Sequence, residues 1–548
     1  MPYGLPLQTR SAEAIKDNTP SVYMAEFRTR PPDQRRAASI HAHVDGESGP
    51  SSADVLTASL RAFALLLRHS IAAQIGLILQ AAFETMDDQQ LWNKVDQSCW
   101  FVRKACEWTQ YQYRYAVPSR VVERLLETHD TPVSTAQQRT LTKMLTTVFT
   151  SPIPLVNLST SDIVSNLTTL VLRRVSVNLD DDLLPLLVES IGSLGTHVYY
   201  SDQIQDLASE LISRLVSVEV HGLPFLERDD NKRRSQAIRC LLAGLSGLIL
   251  VAGAARKDDK SIMSPEPSFL LSSGTSSPSP QALQRRRVSG EIWYETLSLL
   301  CDGDYAVRSD YAHTLVTYLR QELTKRGDSG DLKRSRQTAE EISPIQMNNI
   351  SLLLFGDSGT RSLHATHAYL FMLATSSSLG SITDLSPSPA YSLNGDLASV
   401  GVSSTTPSAG PPGQSIEIAE IQLSRPSSSR RSAGTITRSR KASTTQRLLE
   451  CTQKVSSASL ASLSDHALIL HVLTAIHEEL PIRGLLTGVP MLLSLDVASQ
   501  IDDESDLSAR QRSKVVKEVI TRAWLVIGQV WECAELIKLA ESVSAAQS

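Results

Sequence analysis

The chain has 548 residues, too many for one compact core, and its 41% apolar content with only 5% aromatic residues favours helix packed on helix. Lys and Arg total 53 against 58 Asp and Glu, and the resulting charge of -5 excludes an overall basic field for gripping nucleic acid. Six cysteines are scattered along the chain, with only Cys99 and Cys106 close together, which fits a reducing compartment better than a disulfide framework.

The opening Met1-Pro2-Tyr3-Gly4 is not followed by a basic stretch and an apolar core, so no secretory signal is expected. Residues 1–52 mix Pro, Arg and Ser without periodicity and are read as an irregular or disordered arm. Helical repeats are expected over 53–255. From Asp54 the positions Leu56, Leu60, Phe63, Leu67, Ile71, Ile75, Ile78 and Phe83 recur at three- and four-residue steps, which predicts one helix face. Ser134 with Gln137 predicts a capping box ahead of Leu141, Leu145 and Val148, and Pro152 with Pro154 ends that helix.

Ser161-Asp162-Ile163-Val164-Ser165-Asn166-Leu167 is echoed 40 residues later by Ser201-Asp202-Gln203-Ile204-Gln205-Asp206-Leu207, and Arg174 is matched by Arg214. A period of about 40 residues, with a helix around Leu183, Leu187 and Ile191 between the copies, is the mark of HEAT or armadillo arrays. The apolar run 240–255 is shorter than the ~20 residues of a bilayer-spanning helix and is read as a buried solenoid helix.

A disordered loop is expected over 256–290, then HEAT-like repeats over 291–376 with a flexible break at about 324–344. In Leu299-Leu300-Cys301-Asp302-Gly303-Asp304-Tyr305-Ala306-Val307-Arg308 a turn aspartate is expected to cap the next helix, Val307 to enter the core and Arg308 to lie along the turn face. Residues 377–446 form a Ser-, Pro- and Arg-rich linker that cannot bury enough apolar surface to offset its ordering entropy. The C-terminal helices occupy 447–548, with periodicity over 447–480 and again over 513–540. The fold class is therefore all-α, an armadillo- and HEAT-like α-solenoid rod with long disordered loops.

No motif points to catalysis or a cofactor. Gly-Asp-Ser-Gly at 327–330 and 356–359 resembles a serine-protease loop, but no β-barrel pattern accompanies it, and small turn residues account for both copies. His364 and His367 lack a Cys, Asp or Glu at ligand spacing, so no metal is expected, and no phosphate-binding glycine loop is present. Trp92, Trp100, Phe101, Trp108, Tyr111, Tyr113 and Tyr115 crowd one segment, and are read mainly as packing between helices, with a partner-binding surface as the alternative. Ser39, Ser289 and Ser443 each follow basic residues and are candidate phosphorylation sites within segments expected to be disordered. Arg425, Arg430, Arg431, Arg438, Arg440 and Lys441 form a candidate contact for anionic lipid, set against a solvated loop.

The segment 153–163, Ile-Pro-Leu-Val-Asn-Leu-Ser-Thr-Ser-Asp-Ile, continuing through Leu167 into Leu172-Arg173-Arg174, resembles the Eighty-five Requiring (Efr) scaffold family of fungal type. That resemblance implies a non-catalytic rod, peripheral on the cytoplasmic face of the plasma membrane, anchoring a phosphatidylinositol 4-kinase through a tetratricopeptide-repeat adaptor. Family members carry membrane-contacting cysteines or basic residues on an N-terminal helical region, where this chain has a Pro-rich arm. A truncated gene model is one expectation from that departure, and a cytosolic location would follow from it. The alternative is a HEAT-repeat adaptor in another pathway, such as vesicle traffic or nuclear transport.

Overall fold

The computed structural model describes residues 51–128, 131–197, 199–200, 202–223, 230–262, 286–323, 358–375, 462–500 and 507–547. Helix α1, Ser52–His69, begins at a reciprocal cap in which Ser51 Oγ accepts from the Asp54 N–H and the Asp54 carboxylate accepts from the Ser51 N–H. The helical pattern expected to run unbroken to Phe83 is interrupted after His69. Ser70 adopts an extended backbone with its hydroxyl donating to Leu66 O, and Gln74 Oε1 accepts from the Ile71 N–H to start α2, Ala72–Asp88. The two helices bury different ends of the pattern: Leu67 on α1, and Ile75, Leu79 and Phe83 on α2.

The chain continues through α3 (Val95–Trp108), α4 (Ala116–Glu127), α5 (Ala136–Thr150), α6 (Thr160–Val177), α7 (Leu183–Ser193), α8 (Gln203–His221) and α9 (Asn231–Ile262). Then follow α10 (Gly290–Trp293), which runs on as a tighter helix over Tyr294–Cys301, α11 (Tyr305–Gln321), α12 (Ser358–Thr375), α13 (Leu463–Glu479), α14 (Pro481–Ala498), α15 (Leu507–Val530) and α16 (Ala534–Gln547). No strand occurs among the described residues. Odd-numbered helices α1 to α15 pack each against the next odd one, while α2, α4, α6, α8, α10, α12 and α14 form a second row. The apolar stripes face each other between the rows, so the fold is an all-α solenoid of HEAT and armadillo type.

The 40-residue echo corresponds to α6 and α8, neighbours in the second row, joined by Gln203 Nε2 donating to Thr160 Oγ1 at 2.9 Å and Arg214 Nη2 to Ser165 Oγ at 3.1 Å. The apolar run 240–255 lies in α9, whose Leu241, Leu242, Leu245, Leu248 and Ile249 are buried against α7, α8 and α11. Close approach of α7 and α9 needs glycine on both sides, because a methyl group on Gly192 would sit 3.2 Å from Gly247 Cα, and one on Gly195 would sit 2.6 Å from Leu248 O. By length and composition Asn231–Ala254 and Pro481–Ala498 are each apolar enough to cross a membrane, but 61% of the apolar stretch in the first is buried inside the protein.

Two local expectations shift. The cap of α5 falls one residue later than Ser134 and Gln137: Thr135 and Gln138 make the reciprocal bonds, and Gln137 instead reaches Asp87 Oδ1 at 3.0 Å. The C-terminal periodicity over 513–540 is divided between α15 and α16, because Glu532 turns to φ 51° and the Cys533 N–H bonds Gly528 O at 2.8 Å. A methyl group on Gly528 would meet Ile537 Cγ1 at 2.9 Å, which shows how tightly this hairpin closes.

The HEAT-like turn is built as expected at Asp304, whose carboxylate accepts from the Ala306 N–H at 2.9 Å, and at Val307, which is fully buried. Arg308 goes further than the turn face. Its Nε and Nη2 donate to the two carboxylate oxygens of Asp465 at 2.7 and 2.9 Å, and its Nη1 donates to Asp302 O at 2.7 Å. Both partners are buried, so α11 and α13 are joined by a forked ion pair between residues 157 apart in sequence. Removing one member of such a pair strands the other charge, so Asp465→Asn is expected to cost about 3–5 kcal/mol. In urea denaturation Arg308→Met combined with Asp465→Leu should recover most of that loss, and full stability in the single variant would show that the pair does not hold the joint.

Candidate interaction surface

The turns leading from first-row to second-row helices line one edge of the solenoid, and aromatic side chains collect there. Tyr111, in a short helical turn between α3 and α4, is 56% exposed, and Tyr199 and Tyr200, between α7 and α8, are 44% and 51% exposed. Tyr199 is held firmly: its hydroxyl accepts from the Leu155 N–H at 2.6 Å and lies 2.7 Å from His197 Nδ1, while its own N–H is bonded by Gln203 Oε1. Burial pushes the Tyr199 phenol up and the His197 imidazole down from their ordinary values. Arg114 lies over the Tyr111 ring at 5.6 Å. Exposed tyrosines on a rigid edge suit protein contact, since they present large apolar area at little conformational cost.

Most of the aromatic cluster is packing. Phe63 stacks on Phe101 at 5.7 Å and meets Trp108 edge-on at 6.1 Å, Trp100 meets Trp108 at 6.4 Å, and Trp92 packs on Phe83. Trp92 Nε1 donates to Asp87, which also accepts from Arg124 and Gln137, so Asp87 ties α2 to α4 and α5.

A second feature lies where α12, α13 and α14 meet. His367 and His477 are both buried, and Gly488 faces them: a methyl group there would lie 3.2 Å from the Nε2 of each ring. His367 Nδ1 donates to Leu363 O at 2.8 Å, whereas its Nε2 and both ring nitrogens of His477 have no hydrogen-bond partner. Burial drives His367 down to about 3 and His477 down to about 4. His364, three residues before His367, is exposed, whereas His367 is buried, and the charge of His364 is a minor contributor to lowering His367. Among the described residues no group of three or more His, Cys, Asp or Glu could hold a metal ion.

A protein named Protein EFR3 from Cryptococcus neoformans var. neoformans serotype D is 29% identical over 98% of this chain and 50% of its own length. Protein EFR3 from Mycosarcoma maydis is 32% identical over 53% of this chain and 33% of its own length, and Protein efr-3 from Neurospora crassa is 27% identical over 47% and 24%. The chain belongs to the EFR3 family. It spans about half the length of the curated relatives that it matches over nearly all of its residues. No family model matches the chain, and no solved structure matches it.

In this EFR3-family chain Ser289 is the N-cap of α10, its hydroxyl accepting from the Glu291 N–H at 3.2 Å. The preceding residues are docked rather than loose, contrary to the expected loop: the Val288 N–H donates to Glu322 Oε2 at 2.9 Å and Arg287 Nη1 to Leu323 O at 2.6 Å. A kinase would have to pull this segment off α11 to reach Ser289 in an extended conformation. Ser39, Ser443, Arg425, Arg430, Arg431, Arg438, Arg440 and Lys441 lie outside the described residues. Ser289→Ala is expected to lower stability by about 0.5–2 kcal/mol through loss of the cap, measured by urea denaturation.

The buried histidines set a pH dependence. In the unfolded chain each takes a proton near its ordinary 6.5, while in the folded protein it stays neutral down to about 4 or about 3. The unfolded state therefore binds more protons below 6.5, and stability is fully present above that value and falls as pH drops toward 4. Denaturation midpoints between pH 7.5 and 4.5 should show this slope, and His477→Gln should make it shallower.

Proposed function

We propose that this EFR3-family chain is a non-catalytic scaffold that holds a phosphatidylinositol 4-kinase at the cytoplasmic face of the plasma membrane through a tetratricopeptide-repeat adaptor. The observation that carries this reading is family membership across nearly the whole chain, and a two-row helical solenoid is a suitable body for the role. Such a rod acts by tethering: fixing adaptor and kinase beside the bilayer raises their effective concentration at the lipid without any bond made or broken by the scaffold. Rigid edges such as the one bearing Tyr111 and Tyr200 supply the kind of surface that tethering needs. Contact with anionic head groups is proposed for Arg425, Arg430, Arg431, Arg438, Arg440 and Lys441, where each basic side chain near the surface would add about 1 kcal/mol.

The test is affinity purification of the tagged chain from cross-linked membranes, with cytosol as the comparison and mass spectrometry as the readout. Recovery of a phosphatidylinositol 4-kinase together with a tetratricopeptide-repeat protein is the expected result. Membrane recovery of other partners without the kinase would sink the proposal and favour a HEAT-repeat adaptor in another pathway.

A further inference from the structure

Apart from the buried pair at Gly488, a second pair of histidines meets on the surface of the joint between α11 and α13. His313 is exposed on α11, and its ring centre lies 5.3 Å from that of His471 on α13, with the planes inclined by 40°. His313 Nδ1 lies 2.7 Å from the carbonyl oxygen of Ser309. A carbonyl only accepts, so Nδ1 carries the proton and Nε2 of the neutral ring keeps its lone pair for another partner. No hydrogen bond occupies either ring nitrogen of His471 among the described residues.

The two helices run side by side in the same direction. His313 pairs with His471, and seven residues further along both helices Arg320 faces Glu478 at 3.7 Å and Glu479 at 3.6 Å. Beneath this face Arg308 and Asp465 make the buried fork. The spacing of the imidazoles fits shared coordination. With a metal–nitrogen bond of ~2.0 Å and ~1.1 Å from nitrogen to ring centre, two rings on a tetrahedral ion have centres ~5.1 Å apart. The observed separation of 5.3 Å is close to that value.

We propose that His313 and His471 form a two-imidazole site for a divalent transition-metal cation of the zinc type, which clamps α11 to α13. The protein supplies two nitrogen ligands, water completes the shell, and Arg320 with its glutamates flanks the site without ligating. Such a site is open and exchangeable, unlike a closed structural zinc centre. The cation would bind only where the two helices are packed together, so its binding favours the assembled joint by mass action. The consequence is a reversible cross-link between segments that are 150 residues or more apart in sequence, placed where the solenoid bridges the long interval between α12 and α13.

The experiment titrates zinc chloride into the full chain, freed of metal by a chelator, and follows heat of binding and thermal midpoint at pH 7.5 and 5.5. One saturable site per chain with a raised midpoint is expected at pH 7.5, and its loss at pH 5.5, where imidazoles carry protons. His313→Ala and His471→Ala should each weaken binding about tenfold or more. Both rings lie outside the buried core, so these variants should keep their midpoint without metal, and His364→Ala should bind as the parent does. Unchanged affinity in either of the first two variants, or no rise in midpoint on binding, would overturn the proposal.

Discussion

The forked ion pair between Arg308 and Asp465 ties together the parts of the solenoid on either side of the long interval between α12 and α13. Those two residues are 157 positions apart, and the first row passes from α11 to α13 at the point where they meet. A buried guanidinium and a buried carboxylate each carry a large desolvation cost, which neither can meet alone. The pair therefore selects one arrangement of the two helices rather than a range of sliding contacts. Its surroundings extend the selection: Arg308 also bonds Asp302 O, and the Asp302 carboxylate takes Arg234 from α9 at 2.8 Å. A line of polar contacts thus runs along the turns from α9 through α11 to α13.

Between the turns the rod is held by shape. Row packing buries leucine, isoleucine and valine from most of the helices, and where two helices must approach most closely glycine replaces the side chain, as at Gly192 and Gly247. A solenoid built this way has a core that is one repeat thick and a surface that is long, so its working residues lie on edges and outer faces. The exposed tyrosines between α3 and α4 and between α7 and α8 are of that kind, as are His313 and His471.

Much of this architecture was legible from local pattern. The 40-residue echo located α6 and α8, and the Asp-Gly-Asp turn with Val307 marked a HEAT unit, because capping and burial act over a few neighbouring residues. The α5 cap shows where local pattern is degenerate. Ser134-Thr135 and Gln137-Gln138 offer two registers of equal chemistry, and the choice falls to Gln138 because its amide also donates to Thr131 Oγ1 at 3.0 Å. Periodicity likewise missed the breaks after His69 and at Glu532, since α1 with α2 and α15 with α16 keep a continuous apolar rhythm across their turns. Ser289 was placed in a loop because its neighbourhood is rich in Ser and Arg, whereas docking against Glu322 and Leu323 orders it.

By itself the sequence determined the helical class, the repeat period and the residues that cap or fill a single turn, because each of these is written in spacings of three, four or forty residues. Only the tertiary structure decided which distant residues meet: Arg308 with Asp465, His367 with His477 against Gly488, His313 with His471, and Tyr199 with Leu155. The reason is that helices α12 and α13 are separated by a long stretch of chain, and the register in which they join their neighbours is set by side-chain volume and buried charge, which leave no periodic trace.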